Sequence, residues 1–87
     1  VSKSIFSQNQ QLLQNLLREM RIRAGLSQSG LATKLKRTQS FVSKMESGEK
    51  TLDLIELRQV CQALETSLTE FVRQFEEAIH EAKSKIR

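Results

Sequence analysis

Proline, tryptophan and tyrosine are absent from this 87-residue chain, and it has only three glycines and one cysteine. Without proline no stretch is barred from helix, and the side chains that dominate (Leu, Gln, Glu, Lys, Arg, Ser) suit helices better than strands. The fold class this predicts is all-α. A lone cysteine, Cys61, excludes an intramolecular disulfide, and with a single histidine, His80, no zinc site can be built from Cys and His alone. A reducing compartment is the corresponding expectation. No apolar run approaches the ~20 residues of a membrane span, and no basic-then-apolar segment opens the chain. A soluble, cytoplasmic protein without a membrane partner is expected, and the start at Val1 rather than Met reads as a trimmed N-terminus. The length suffices for one core, so residues 1–87 read as a single domain, too small for a roomy catalytic cleft plus a second module.

Charge is present in both signs but unevenly placed. Residues 18–50 carry eight basic side chains (Arg18, Arg21, Arg23, Lys34, Lys36, Arg37, Lys44, Lys50) against Glu19, Glu46 and Glu49, a net +5. Residues 51–87 carry five basic and seven acidic groups, a net −2. A basic pole on a neutral-to-acidic body suits a polyanionic partner, because Lys and Arg displace condensed counterions from phosphates.

Apolar spacing and punctuation divide the chain into short helices. Leu12, Leu13, Leu16, Leu17 and Met20 form a first stripe, which Gly25 can end in the left-handed region. Ser27 can cap a second helix over about 28–35, with Leu31, Ala32 and Leu35 as its apolar face. Thr38 can cap a third over about 39–47, closed by Gly48. Asp53 with Glu56, and Ser67 with Glu70, match the reciprocal capping box. The fourth helix is expected to bury Leu54, Leu57, Val60, Cys61 and Leu64. The fifth, over about 68–85, is expected to bury Leu68, Phe71, Val72, Phe75 and Ile79.

The third helix has an unusual polar side. At about 100° per residue, Phe41, Val42 and Met45 share one face, and Gln39, Ser40, Ser43, Lys44 and Ser47 cluster on the other. An ordinary solvated face in this chain would carry long Glu and Lys pairs. These side chains are instead short or bidentate, able to approach base edges: Gln matches the donor and acceptor pair of adenine, Lys donates to guanine, and Ser serves either.

The run from Leu17 to Leu68, with "GLSQ" opening the second helix, "LA" three residues later and "QSFVSKMESG" as the third, resembles the lambda-repressor and Cro-like, or XRE, helix-turn-helix family. The resemblance covers roughly residues 12–75. It implies a five-helix, lambda-repressor-like DNA-binding domain with the third helix in the major groove and, here, an extended C-terminal helix. Carried over by position, Gln39 is the leading base reader, and Ser40, Ser43 and Lys44 are secondary readers or phosphate contacts. Gln28, at the positive end of the second helix, and Lys36, Arg37 and Lys50 are expected on phosphates. The family's closing Glu of the third helix pairs with a basic residue of the first, which implies an Arg21–Glu46 salt bridge that braces rather than reads. Two positions depart from the pattern. Gly30 replaces the usual Glu or Ala, at about 1 kcal/mol of helix propensity, and removes a capping box with Ser27. Lys36 replaces a common turn Gly, which predicts a left-handed lysine.

Other chemistry is sparse. His80 lies near Glu76, Glu77 and Glu81 but reads as a surface histidine rather than a metal ligand, and Cys61 reads as a small buried hydrophobe. No cofactor and no catalytic group are expected. The partner expected is double-stranded DNA. Because one recognition helix reads only a few base pairs, a homodimer is expected, formed through the fifth helix by Ile79, Ala82 and Ile86. The resulting reading is a nucleoid-associated transcriptional regulator, with repression by operator occupancy. The alternatives are an antitoxin or restriction-modification controller of the same fold, and a protein-interaction module without DNA affinity.

Overall fold

The computed structural model describes the backbone of residues 2–85 and the side chains of residues 8–84. Five helices occupy them: α1 (Ser2–Arg23), α2 (Gln28–Leu35), α3 (Gln39–Ser47), α4 (Leu54–Ala63) and α5 (Leu68–Lys85). No strand occurs among the described residues. α1 packs on α3 and α5, α2 on α3 and α4, and α4 on α5. One core lies between them, made by Leu16, Leu17 and Met20 of α1, Leu31 and Ala32 of α2, Val42 and Met45 of α3, Val60, Cys61 and Leu64 at α4, and Phe71 of α5. The Cys61 thiol is fully enclosed, and burial pushes its pKa up, which keeps it neutral and inert.

The turns explain the short helices. At the end of α1, Gly25 (φ 75°) lets the Leu26 N–H reach back to the Arg21 carbonyl. The same six-residue closure ends α2, from the Arg37 N–H to the Ala32 carbonyl, and α4, from the Thr66 N–H to the Cys61 carbonyl. The left-handed residue in these two cases is Lys36 (φ 58°) and Glu65 (φ 62°), neither a glycine. At the starts, Ser27 accepts from the Gly30 N–H at 2.9 Å and Thr38 from the Phe41 N–H at 3.2 Å. Asp53 and Glu56 cap each other's backbone N–H groups in a complete box.

Four details depart from the sequence reading. α1 starts at Ser2, about ten residues before its leucine stripe, because nothing in the polar segment ahead of Leu12 breaks a helix. Leu54 is 67% exposed, since the first position of α4 lies beyond the helices that cover Leu57, Val60 and Cys61. Val72 is also exposed, because the buried line of α5 runs Leu68, Phe71, Phe75 at three- and four-residue steps and Val72 falls about 100° off Phe71. The second capping box is only half formed. Ser67 accepts from the Glu70 N–H, but the Glu70 carboxylate turns to Arg73 and Gln74, which hold its pKa down at about 2.

Candidate nucleic-acid interface

Thr38 and Gly48 bracket α3, and Val42 and Met45 anchor it in the core. That anchoring turns Gln39, Ser40, Ser43, Lys44 and Ser47 outward, and all five are exposed. On the helical wheel they span about 140°, from Gln39 through Ser43, Ser47 and Ser40 to Lys44. Glu46 lies just outside the Gln39 edge of this arc, and Phe41 lies beyond the Lys44 edge.

The Glu46 edge is fixed by a buried ion pair. Arg21 donates through Nε to Glu46 Oε2 at 2.6 Å and through Nη2 to Oε1 at 3.0 Å, with the two side chains only 11% and 5% exposed. Arg21 Nη1 also donates to the Leu26 carbonyl at 2.8 Å, so one guanidinium ties α1 to the turn before α2 and to α3. Glu46 raises the Arg21 pKa by hydrogen bonding. Gln28 Nε2 donates to the same Glu46 Oε1 at 3.1 Å, which commits one amide hydrogen of a side chain expected to serve a phosphate.

The Phe41 edge is a second ionic cluster. The Arg37 guanidinium lies over the Phe41 ring, 4.0 Å from its centroid, and Lys50 Nζ is 5.9 Å from the same point. Glu56 Oε2 is 3.3 Å from Lys50 Nζ and 3.8 Å from Arg37 Nη2, while Oε1 accepts the Asp53 N–H. Phe41 is therefore only half-buried, with part of its ring on the core and part beneath cations. Lys36 is exposed in the turn and Lys44 on α3, and neither makes an ion pair among the described residues. Lys34 points elsewhere, to the Ala63 carbonyl at 3.3 Å and Glu65 at 3.5 Å.

The structure thus places Gln39, Ser40, Ser43 and Lys44 on one face, Gln28 beside it at the Arg21–Glu46 brace, and Arg37 and Lys50 together on the opposite flank. Two further side chains border this surface, and the sequence reading gives neither a place there: Glu56, known from sequence as a cap, and Arg18, which lines a concavity beside Ser43. The i, i+3 spacing of Arg18 and Arg21 on α1 was the available signal. Of the expected dimer residues, Ile79 and Ala82 are half-buried on α5, and Ile86 lies outside the described residues. His80 is exposed, and no three potential metal ligands converge among the described residues.

Residues 13–74 match the model of a helix-turn-helix domain family. A solved XRE-family like protein from Pseudomonas syringae pv. tomato is 39% identical over 87% of this chain and 93% of its own, with a TM-score of 0.79. The restriction-modification controller protein C.Esp1396I shares the fold at 20% identity, over 84% of this chain and 95% of its own, with a TM-score of 0.77. So does the clp gene regulator ClgR of Corynebacterium glutamicum, at 24% identity over 80% of this chain and 90% of its own, with a TM-score of 0.71. No curated protein sequence matches the chain. With the family model spanning most of the chain and the Pseudomonas relative matching nearly end to end, the chain belongs to the helix-turn-helix domain family as an XRE-like DNA-binding protein.

Proposed function

We propose that the protein is a sequence-specific transcriptional regulator that reads the major groove with α3 and represses by occupying its operator as a homodimer. The observation that carries this reading is the outward arc of Gln39, Ser40, Ser43 and Lys44, free of bulky or acidic side chains, on a helix braced from behind. In this reading Gln39 reads first, and Ser40, Ser43 and Lys44 add base or phosphate contacts. Gln28, Lys36, Arg37 and Lys50 hold phosphates and set register without reading sequence. α5 supplies the dimer contact through Ile79 and Ala82, giving two half-sites about one turn, roughly 34 Å, apart.

Selection of bound duplexes from a random pool at near-physiological salt tests the proposal, with a Gln39→Ala, Ser43→Ala, Lys44→Ala triple variant alongside. A near-palindromic motif is expected for the parent and lost in the variant. A pool that stays random, or one equally enriched by the variant, overturns base reading by α3. Sedimentation at tens of micromolar addresses the dimer, and a monomer mass there counts against it.

A further inference from the structure

Between α1 and α3 lies an open concavity of about 340 Å³, lined by Arg18, Arg21, Gln28, Ser43, Glu46 and Ser47. Its floor contains the Glu46 carboxylate, which alone would repel an anion. That charge is taken up by Arg21 through two hydrogen bonds and by Gln28 through a third, and Glu46 is 5% exposed. The charge left over belongs to Arg18, which is exposed at the rim and forms no ion pair among the described residues. Around it stand two uncharged hydrogen-bonding groups, the Ser43 hydroxyl and the second amide hydrogen of Gln28, while the Ser47 hydroxyl is already engaged, 3.2 Å from the Lys44 carbonyl and 3.4 Å from Glu49 Oε2. A planar cation beside a small hydroxyl and an amide suits a tetrahedral oxyanion, which Arg can meet with two parallel N–H groups.

The position of the concavity says which anion. It borders α3 at the Glu46 edge of the polar arc, while Arg37 and Lys50 border the Phe41 edge. An α-helix with its side chains is about 10–12 Å across and the major groove is about 12 Å wide, so a helix seated there has one phosphodiester strand on each side. We propose that the Arg18 concavity seats one backbone phosphate of the strand opposite the one met by Arg37 and Lys50, so that α3 is clamped from both flanks. This rests on the DNA-binding reading above and adds to it a site on α1. Arg18 acts there as a positioning residue: it fixes the roll of α3 in the groove and carries no sequence information of its own.

The test compares the parent, Arg18→Gln, Arg18→Lys and a charge-matched control, Arg58→Gln on α4, on the duplex enriched by selection and on an unrelated duplex across a salt series. Arg58 lines a separate concavity with Ser67 and Leu68. Arg18→Gln is expected to weaken both duplexes roughly tenfold near physiological salt and to flatten the log–log salt slope by about 0.9 per protomer. Arg18→Lys should keep the slope and lose part of the affinity, and Arg58→Gln should change neither. Duplexes carrying one neutral methylphosphonate linkage at a time then locate the contact: one linkage per half-site should weaken the parent and leave Arg18→Gln unaffected. Parental slope and affinity in Arg18→Gln overturn the phosphate seat while leaving the DNA-binding reading intact. A changed sequence preference overturns it in favour of base contact. A parent without salt-dependent duplex binding overturns the DNA-binding reading itself, and the seat with it.

Discussion

Arg21 on α1 and Glu46 on α3, twenty-five residues apart in sequence, share two hydrogen bonds of 2.6 and 3.0 Å in a setting that excludes most water. The pair is the only direct ionic tie between α1 and α3 among the described residues. Removing one partner strands the other. Arg21→Met should cost about 3–5 kcal/mol, because the enclosed Glu46 carboxylate loses the two N–H donors of Arg21. Arg21→Met with Glu46→Leu should recover much of that, since no unpaired charge remains. Thermal denaturation of both variants checks the order. Equal losses in the single and double variants would show that packing, not the stranded carboxylate, sets the cost.

Gly48 closes α3 at φ 87° against the side chain of Gln14. A Cβ there would collide with the Gln14 amide nitrogen and lie 3.0 Å from its Cδ, and Gln14 is itself buried, with little room to retreat. Gly48→Ala therefore meets both a left-handed backbone penalty and a steric one, and should cost about 1–3 kcal/mol. Adding Gln14→Ala should remove the steric share and leave the backbone share. A double-mutant cycle by urea denaturation reads this directly: a coupling energy near zero would mean that Gln14 moves aside without cost.

These two relationships show what the sequence could and could not disclose. The helix starts at Ser27, Thr38 and Asp53 and the ends at Gly25 and Gly48 were legible because single residues write them, whereas the start of α1, which no such residue marks, was not. The polar arc of α3 was legible because a nine-residue helix with three apolar positions has only one way to face a core. Contacts between flanks were harder. The Gly48–Gln14 contact joins residues thirty-four positions apart through a gap that no periodicity encodes. Glu56 was legible as a cap but not as the bridge between Arg37 and Lys50, because that needs the loop of residues 48–53 folded back beside the turn before α3. The misplaced burial of Leu54 and Val72 has the same origin: periodicity gives a face, and only packing decides how far along the helix and how wide that face is covered.

Glu56 makes a quantitative expectation possible for the Phe41 flank. Its carboxylate neutralises part of the charge that Arg37 and Lys50 would offer a phosphate, while its other oxygen closes the α4 cap. Glu56→Gln keeps a cap acceptor and removes the charge. Stability should change by less than about 1 kcal/mol, since the pairs lost are largely surface pairs. Affinity should rise severalfold on related and unrelated duplexes alike, leaving the specificity ratio unchanged. A fall in affinity on both duplexes would show instead that Glu56 is needed to hold the two cations in place over Phe41.

Lys36 and Glu65 share a left-handed backbone that glycine adopts without strain, each at the end of a helix closed in the same way. Their surroundings differ. Lys36 lies in the turn leading to α3, beside Arg37, whereas Glu65 lies between α4 and α5, 3.5 Å from Lys34. Replacing either by glycine relieves roughly 1–2 kcal/mol of backbone cost, partly offset by the greater freedom of glycine in the unfolded chain. Both Lys36→Gly and Glu65→Gly should therefore raise the melting temperature, by up to about 4–8 °C for a gain of about 1 kcal/mol. Only Lys36→Gly should weaken duplex binding, uniformly across sequences and with a shallower salt slope, because a phosphate contact goes with the charge. Lysine at a position that favours glycine then has a reason: the turn accepts a strained backbone in return for a cation at the groove edge. Stabilisation without loss of affinity in Lys36→Gly would remove Lys36 from the interface and leave its strain without a functional account.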